Sequence, residues 1–362
     1  MTLIIFYLFI ICTAIQLFYF LFFFIRITFF KPYAPFISRG VSVVIAAHNE
    51  EKNLQKLLPV LLAQDYPDFE VIIANDRSTD GTANIIAAYP SVKTIKITEA
   101  PEGVNPKKYA LTQAITAASK VLILLTDADC LPLSRQWIRR MAAGFTTGKE
   151  LVIGYCPYEE RKGFLNTLIR YETFYTAVQY FSLALARLPY MGVGRNLAYT
   201  KELFVKTNGF QSHQHITGGD DDLFINEAAT ASNVAVELSL ESQVVSYPKT
   251  TYKEWLSQKT RHLSAGKHYK LKNKLLTGVL ALSLIFFYLC GVCLFISNYL
   301  IPFTITLFLF RTFVLICSFA FISKKLKDNF NPALLPILDF VYVLNYIFLG
   351  IKALRKNDNK WI

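Results

Sequence analysis

Residues Leu3 to Ile25 carry no charged side chain. A run of that length has few homes, because a helix of about 20 apolar residues matches the hydrocarbon core of a bilayer. A cleaved signal peptide fits poorly. No basic residue precedes the run, it is too long for the apolar region of such a peptide, and no small-residue cleavage site follows it. A membrane helix is therefore expected over 1–27. Arg26, Lys31 and Arg39 come after the run, which predicts Met1 outside and the following domain in the cytosol.

The far end repeats the pattern. Leu275 to Ser297 and Tyr299 to Ile322 read as two spans, with Ser297, Asn298 and Pro302 marking the turn. Lysines from Lys267 to Lys274 precede the pair and Lys324, Lys325 and Lys327 follow it, as in a hairpin with cytosolic ends. Ala333 to Ile351 is a third apolar stretch, a short span or a re-entrant helix. It completes a membrane region at 275–351, followed by a basic tail at 352–362. Arg311 and Asp339 lie inside these stretches, where a charge is costly unless it finds a partner. Their pairing is one expectation; snorkelling of each is the other.

Composition agrees with this division. Hydrophobic residues make up 53% of the 362 and charged residues 18%, against about 25% charged in an average soluble domain. That excess excludes a disordered chain. The net charge of +12 reads largely as the basic rim of the spans facing anionic headgroups, with no nucleic-acid partner. Of the six cysteines, Cys12, Cys290, Cys293 and Cys317 sit in apolar spans, and Cys130 and Cys156 in the middle. No disulfide framework or zinc site is indicated, because Cys290 and Cys293 have no second ligand pair.

Between Gly40 and Pro248 strands and helices alternate. Strands are expected at Val41–Ala46, Phe69–Ala74, Lys93–Ile97 and Val121–Leu125. Helices are expected at Asn49–Leu62, Thr79–Ala88 and Lys107–Ala118. Such alternation implies a parallel sheet covered on both faces, and ligands of such sheets bind beyond the carboxyl ends of the strands. The residues placed there are acidic and polar: AHNEE after the first strand, NDRSTDGT after the second and TDAD after the fourth. No GxGxxG or Walker A sequence follows the first strand, which lowers a dinucleotide or ATP reading. Asp127 and Asp129, directly after a fully apolar strand, suit a hard divalent cation bound through oxygen. Asp80 reads equally as a helix cap.

The order AHNEE, NDRSTDGT, TDAD, GGDDDLF and QKTRH resembles the family 2 glycosyltransferases, over about Val41 to Lys267. The resemblance implies an α/β GT-A fold, a Rossmann-like mixed sheet, at 40–250 in the cytosol. A helical region with a QxxRH sequence would follow at 251–274, amphipathic and lying at the membrane interface. It also implies a donor that is a nucleotide-activated sugar, UDP-linked as a rule, and a divalent metal, Mg or Mn, on Asp127 and Asp129. Ala47, Glu50, Asp76, Lys107, Asp127, Gln258 and Arg261 fall where the family binds the nucleotide sugar, with Lys108 an alternative to Lys107.

Aligned on Leu223, the resemblance puts the catalytic base at Asp220, with Asp221 the alternative, because Gly219 stands where an acid is usual. Arg261 would neutralise the leaving diphosphate. Asn196, Asp222 and His262 are acceptor candidates, and His262 replaces the Trp usual in QxxRW. His213 and His215 read as an exposed loop pair. The implied activity is inverting transfer to a membrane lipid or lipid-linked glycan. A processive polysaccharide synthase and a non-catalytic nucleotide-sugar-binding subunit remain as alternatives.

Overall fold

The computed structural model describes residues 1–34, 39–328 and 331–355. Most of the expected basic tail at 352–362 lies outside them. Helix α1 (Thr2–Phe18) continues through one π turn and one 3-10 turn into a 28-residue rod, Thr2–Phe29. The aqueous part then follows the expected alternation. In order come β1 (Val41–Ala47), α2 (Glu51–Leu62), β2 (Phe69–Asp76), α3 (Thr82–Ala87), β3 (Val92–Ile97), α4 (Pro106–Ala117) and β4 (Leu122–Leu125). Next are β5 (Cys130–Pro132), α5 (Trp137–Ala143), β6 (Leu151–Gly154), α6 (Phe164–Leu185), β7 (Leu197–Thr200), α7 (Lys201–Lys206) and α8 (Asp222–Ala228). Strands β8 (Val234–Glu237) and β9 (Val244–Ser246) and helix α9 (Tyr252–Ala265) complete it.

Seven strands form one sheet in the order β3-β2-β1-β4-β7-β6-β8. The first four are mutually parallel, as the alternation implies. Strand β7 runs antiparallel to β4 and β6, so the sheet is mixed. The carboxyl ends of β1, β2 and β4 share one edge: Ala47 pairs with Asn75, and Val44 with Leu125. A small antiparallel sheet, β5 with β9, starts at Cys130. It holds the turn carrying Asp127 and Asp129 against the chain beyond β9, where Tyr247 N–H donates to the Asp129 carbonyl at 3.4 Å.

Inward of the exposed edge strand β3 the sheet is buried on both faces, which explains the apolar runs in its inner strands. One face packs on α2 and α5 through Leu54, Leu58, Trp137 and Met141. The other packs on α4 and α6, and its core runs without a break into the apolar helices through Phe24, Tyr175, Phe319 and Tyr342. Helix α6 is apolar nearly all round, as a helix between two packed layers must be.

The C-terminal helices are α10 (Leu271–Ile296), α11 (Ile301–Leu326) and α12 (Leu335–Arg355). Residues Asn298 and Leu300 adopt positive φ in the tight turn between the first two. The third apolar stretch is one continuous helix. With the N-terminal rod, four helices among the described residues are long and apolar enough to cross a membrane.

Arg311 and Asp339 do pair. Arg311 Nη1 lies 2.6 Å from Asp339 Oδ2, and both side chains are fully buried. Gln16 accepts from Arg311 Nε at 2.7 Å, while the Tyr288 and Tyr171 hydroxyls donate to Asp339 at 2.7 and 3.3 Å. This cluster ties α1, α10, α11, α12 and α6 together. At the end of α11, Asp328 accepts from Arg170 at 3.0 Å and from the Tyr155 hydroxyl, pinning the hairpin to α6 and to the end of β6.

Candidate active site

Beyond the shared strand edge lies a chamber of about 1030 Å³. Its walls carry Asp127, Asp129, Lys107, Arg195, the loop Gly218–Asp222 and, from α9, Gln258, Arg261 and His262. Residues of α10 and α12 close its floor, among them Lys274, Thr277, Gly278, Tyr342 and Tyr346. Helix α9, expected at the membrane interface, packs against α12 and forms a side of this chamber.

Local sequence explains each placement. Asn105 accepts from Lys108 N–H at 3.3 Å and Pro106 occupies the first helical position, so α4 starts there and Lys107 sits in its first turn. Gly218 and Gly219 have φ of +80° and +77°, a conformation open to glycine at little cost. A Cβ on Gly219 would also lie 2.5 Å from Leu223 Cδ1. That is why an acid is absent at this position: the loop needs its backbone to turn.

Lys107 organises the charge. Its Nζ lies 3.0 Å from Asp127 Oδ1 and 2.9 Å from Asp220 Oδ2. Burial alone would lower this ammonium, but the two carboxylates raise it, so it stays charged. Burial would likewise raise Asp220, yet Lys107 outweighs it and brings the carboxyl down to about 2. Asp221, half-buried beside Asp220, is pushed up by desolvation first and by Asp220 second. It accepts from Gly194 N–H at 2.8 Å and from Asp222 N–H at 2.7 Å, capping α8.

Burial first, and Asp221 second, push Asp222 up to about 7. The Tyr269 hydroxyl donates to it at 2.7 Å. A carboxyl raised on folding favours the protonated fold, so the stability it contributes is complete below the ordinary carboxylate range and fades as pH rises toward and past 7. The Asp222→Asn variant is therefore expected to melt several degrees above the parent at pH 8 and to match it near pH 4. Thermal unfolding across that range checks the sign.

Of the residues expected to hold the nucleotide sugar, Lys107, Asp127, Gln258 and Arg261 line the chamber, whereas Ala47 and Asp76 end β1 and β2 and Glu50 precedes α2, outside its lining. Glu50 accepts from Asn53 at 2.6 Å, and burial, then Asp129 and Asp127, raise its carboxyl. Asp76 is buried at the end of β2 and bound by Arg77 through contacts of 2.8 and 3.1 Å. Asp80 accepts from Thr82 N–H at 3.0 Å and Glu51 N–H at 3.2 Å, which is the cap-and-turn role. Gln258 donates to the Tyr158 hydroxyl at 3.3 Å. The Arg261 stem passes close to Gly218, where a Cβ would lie 3.9 Å from Arg261 Cγ. His262 is solvent-accessible in the chamber, and partial desolvation with Lys259, Arg261 and Arg195 around it favours the neutral ring.

Three expectations need correction. Asn196 does not face an acceptor. It is fully buried, accepting from Trp137 Nε1 at 2.9 Å and donating to the Tyr155 and Ser242 carbonyls at 2.8 Å each. His213 is not exposed, although His215 is. Burial and Lys108 bring the His213 ring down to about 4. Lys108 is no substitute for Lys107, because it is buried and donates to the His213 and Ile216 carbonyls at 2.6 and 3.1 Å.

Sequence reasoning missed Arg195, one residue before Asn196. Its guanidinium stacks over Tyr158 at 4.5 Å, and its Nη1 is buried in a wall of the chamber with no hydrogen-bond partner among the described residues. The signal was a cation in a glycine-flanked loop.

Ligand atoms of Asp127, Asp129 and Cys130 lie within 4.8 Å of one another. Burial, and then Asp127, raise the Asp129 carboxyl. Cys130 Sγ donates to Asp129 at 3.3 Å, which makes it a support for that carboxylate. Two carboxylates facing an unsatisfied guanidinium nitrogen fit a hard cation together with an anion such as a diphosphate.

Residues 42–204 match the family described as Glycosyl transferase family 2. Over 235 residues the chain is 28% identical to glycosyltransferase AglE of Haloferax volcanii, covering 61% of this chain and 71% of that protein. It is 36% identical to poly-beta-1,6-N-acetyl-D-glucosamine synthase of Staphylococcus epidermidis over 90 residues, 25% of this chain and 22% of that one. Its fold matches that of mannosyltransferase PcManGT from Pyrobaculum calidifontis, solved with GDP-Man and Mn2+, with a TM-score of 0.59 at 19% identity. That match covers 96% of this chain and 97% of the other. The matched segment builds the strand edge and the acidic turns of the chamber; the fold is GT-A, and over that segment the chain is similar to the family 2 glycosyltransferases.

Proposed function

We propose that this glycosyltransferase moves one sugar from a nucleotide-sugar donor to a membrane lipid or lipid-linked glycan, with inversion at the anomeric carbon. The observation that carries the reading is the chamber itself, acidic and cationic at the strand edge and floored by two apolar helices. A soluble acceptor would need no such floor. In this reading the four apolar helices cross the membrane and the chamber lies on its cytosolic side.

Asp127 and Asp129 would hold a divalent cation, Mg or Mn, whose chemistry is to offset charge on the departing diphosphate. Arg261 and Arg195 supply fixed positive charge toward the same group. Asp220 accepts the proton of the attacking hydroxyl. A diphosphate competes with Asp127 and Asp220 for Lys107, so donor binding releases Asp220 from its cation. Gln258, in the same wall of the chamber, contacts the nucleotide sugar, and His262 faces the acceptor.

The match to a polysaccharide synthase, over a quarter of the chain, favours a second reading in which the product is extended repeatedly. One experiment separates the readings. The purified protein, in vesicles of extracted membrane lipid, is given a panel of UDP- and GDP-sugars with and without EDTA. The expected result is nucleotide release from one donor, abolished by EDTA and restored by Mg or Mn, with a single sugar on extractable lipid. Long products would establish the synthase reading, and no nucleotide release from any donor would leave a binding subunit.

A further inference from the structure

Two adjacent lysines open α4, and the chamber accounts for the first alone. Lys108 is 1% exposed and lies outside the chamber lining. Its Nζ donates to the His213 carbonyl at 2.6 Å and to the Ile216 carbonyl at 3.1 Å. Those carbonyls are the two ends of one turn, closed by Ile216 N–H on the His213 carbonyl at 3.1 Å. Asn105, the cap of α4, adds a further tie through its own N–H to the Gln214 carbonyl at 2.7 Å. The start of α4 thus grips the His213, Gln214 and Ile216 carbonyls. Burial brings the Lys108 ammonium down to about 8, against the pull of Asp220, Asp222 and Asp221, so it is charged at neutral pH.

That turn is the root of the loop that carries Asp220. Between the two stand Gly218 and Gly219, at φ of +80° and +77°, the residue type with the most backbone freedom. In the free protein Lys107 pins the Asp220 carboxylate. A bound diphosphate draws that cation away when the base is needed. A general base has to lie within about 2.6–3.2 Å of the group whose proton it removes. Another contact must then keep the loop in place. Resting on Asp220 as the base, we propose that Lys108 is a positioning residue for the transfer reaction: its ammonium clamps the 213–216 turn and so holds Asp220 at the acceptor hydroxyl after Lys107 has left. It touches neither substrate. An apolar side chain there would take a donor from two buried carbonyls, and the loop would shift to satisfy them elsewhere.

Full-length variants in vesicles of extracted membrane lipid, given the nucleotide sugar that the wild type turns over, test this. Lys108→Met is expected to lower kcat by about 10–100-fold, the scale of an ångström of misplacement, with the donor KM unchanged. Lys108→Arg keeps a charged donor and is expected to recover most of that loss. Lys108→Met added to Asp220→Asn is expected to cost nothing beyond Asp220→Asn alone, since Lys108 acts through that carboxylate. A side chain that merely stabilised the fold would lower the melting temperature and leave the kcat of folded protein as it was. Parent kcat in Lys108→Met, an equal loss in Lys108→Arg, or additive losses in the double variant would overturn the proposal. Should Lys108→Met not stay folded, Lys108→Gln, an amide donor without the charge, carries the same comparisons. Parent kcat in Asp220→Asn would instead remove the base reading, whatever the Lys108 variants do.

Discussion

Replacing Asp220 with Asn is expected to leave the protein folded and to lower the rate of sugar transfer by about 10²–10⁴-fold, the usual weight of a general base. Three adjacent carboxyls compete for that role, and their surroundings separate them. Asp221 spends both oxygens on backbone N–H groups, those of Gly194 and Asp222, and in doing so caps α8. Asp222 sits near 7, bound by the Tyr269 hydroxyl and by Leu223 N–H at 2.7 Å. Of the three, Asp220 is the one paired with Lys107, a cation that a diphosphate can draw away. Once that happens the carboxylate is buried without its partner, and burial raises its proton affinity.

The Asp221→Asn variant should therefore behave differently, with a lower melting temperature and a smaller loss of kcat. Turnover rates with saturating donor and acceptor, alongside thermal unfolding, distinguish the two. A larger kcat loss in Asp221→Asn than in Asp220→Asn would move the base to Asp221.

What the sequence disclosed, and what it withheld, follows the range of the forces involved. Strands β1, β2 and β4 were legible because a parallel sheet covered on both faces demands unbroken apolar runs, and Val41–Ala47 supplies one. The reversal at β7 was not, since the four residues Leu197–Thr200 pair with partners far away in the chain. Asp127 and Asp129 could be found by their place after an apolar strand. The ranking of Asp220, Asp221 and Asp222 could not, because it is set by Lys107, Gly194 and Tyr269, each brought in by another element. Asn196 misled for the same reason: its loop pointed to a ligand, and only Trp137, Tyr155 and Ser242 reveal a core residue. The Arg311–Asp339 pair was within reach of sequence because in hydrocarbon an unpaired charge is so costly that few arrangements remain.

That pair carries the other large expected effect. Arg311→Leu should destabilise the helical bundle by about 3–5 kcal/mol, since it leaves Asp339 as a buried, uncompensated charge. The loss is not a matter of volume. Asp339 keeps its bonds from Tyr288 and Tyr171, but Gln16 loses the donor that held it, and the packing of Phe20 and Phe287 on the guanidinium goes with it. The double variant Arg311→Leu, Asp339→Leu removes both charges, and replacing a whole buried pair with apolar groups is often close to neutral. It should recover most of the loss, with a remainder from the Tyr288, Tyr171 and Gln16 groups left without partners. Thermal unfolding of the purified protein in one detergent, for the parent, the two single variants and the double, closes this cycle. Additive losses in the double variant would show that the two charges do not stabilise each other.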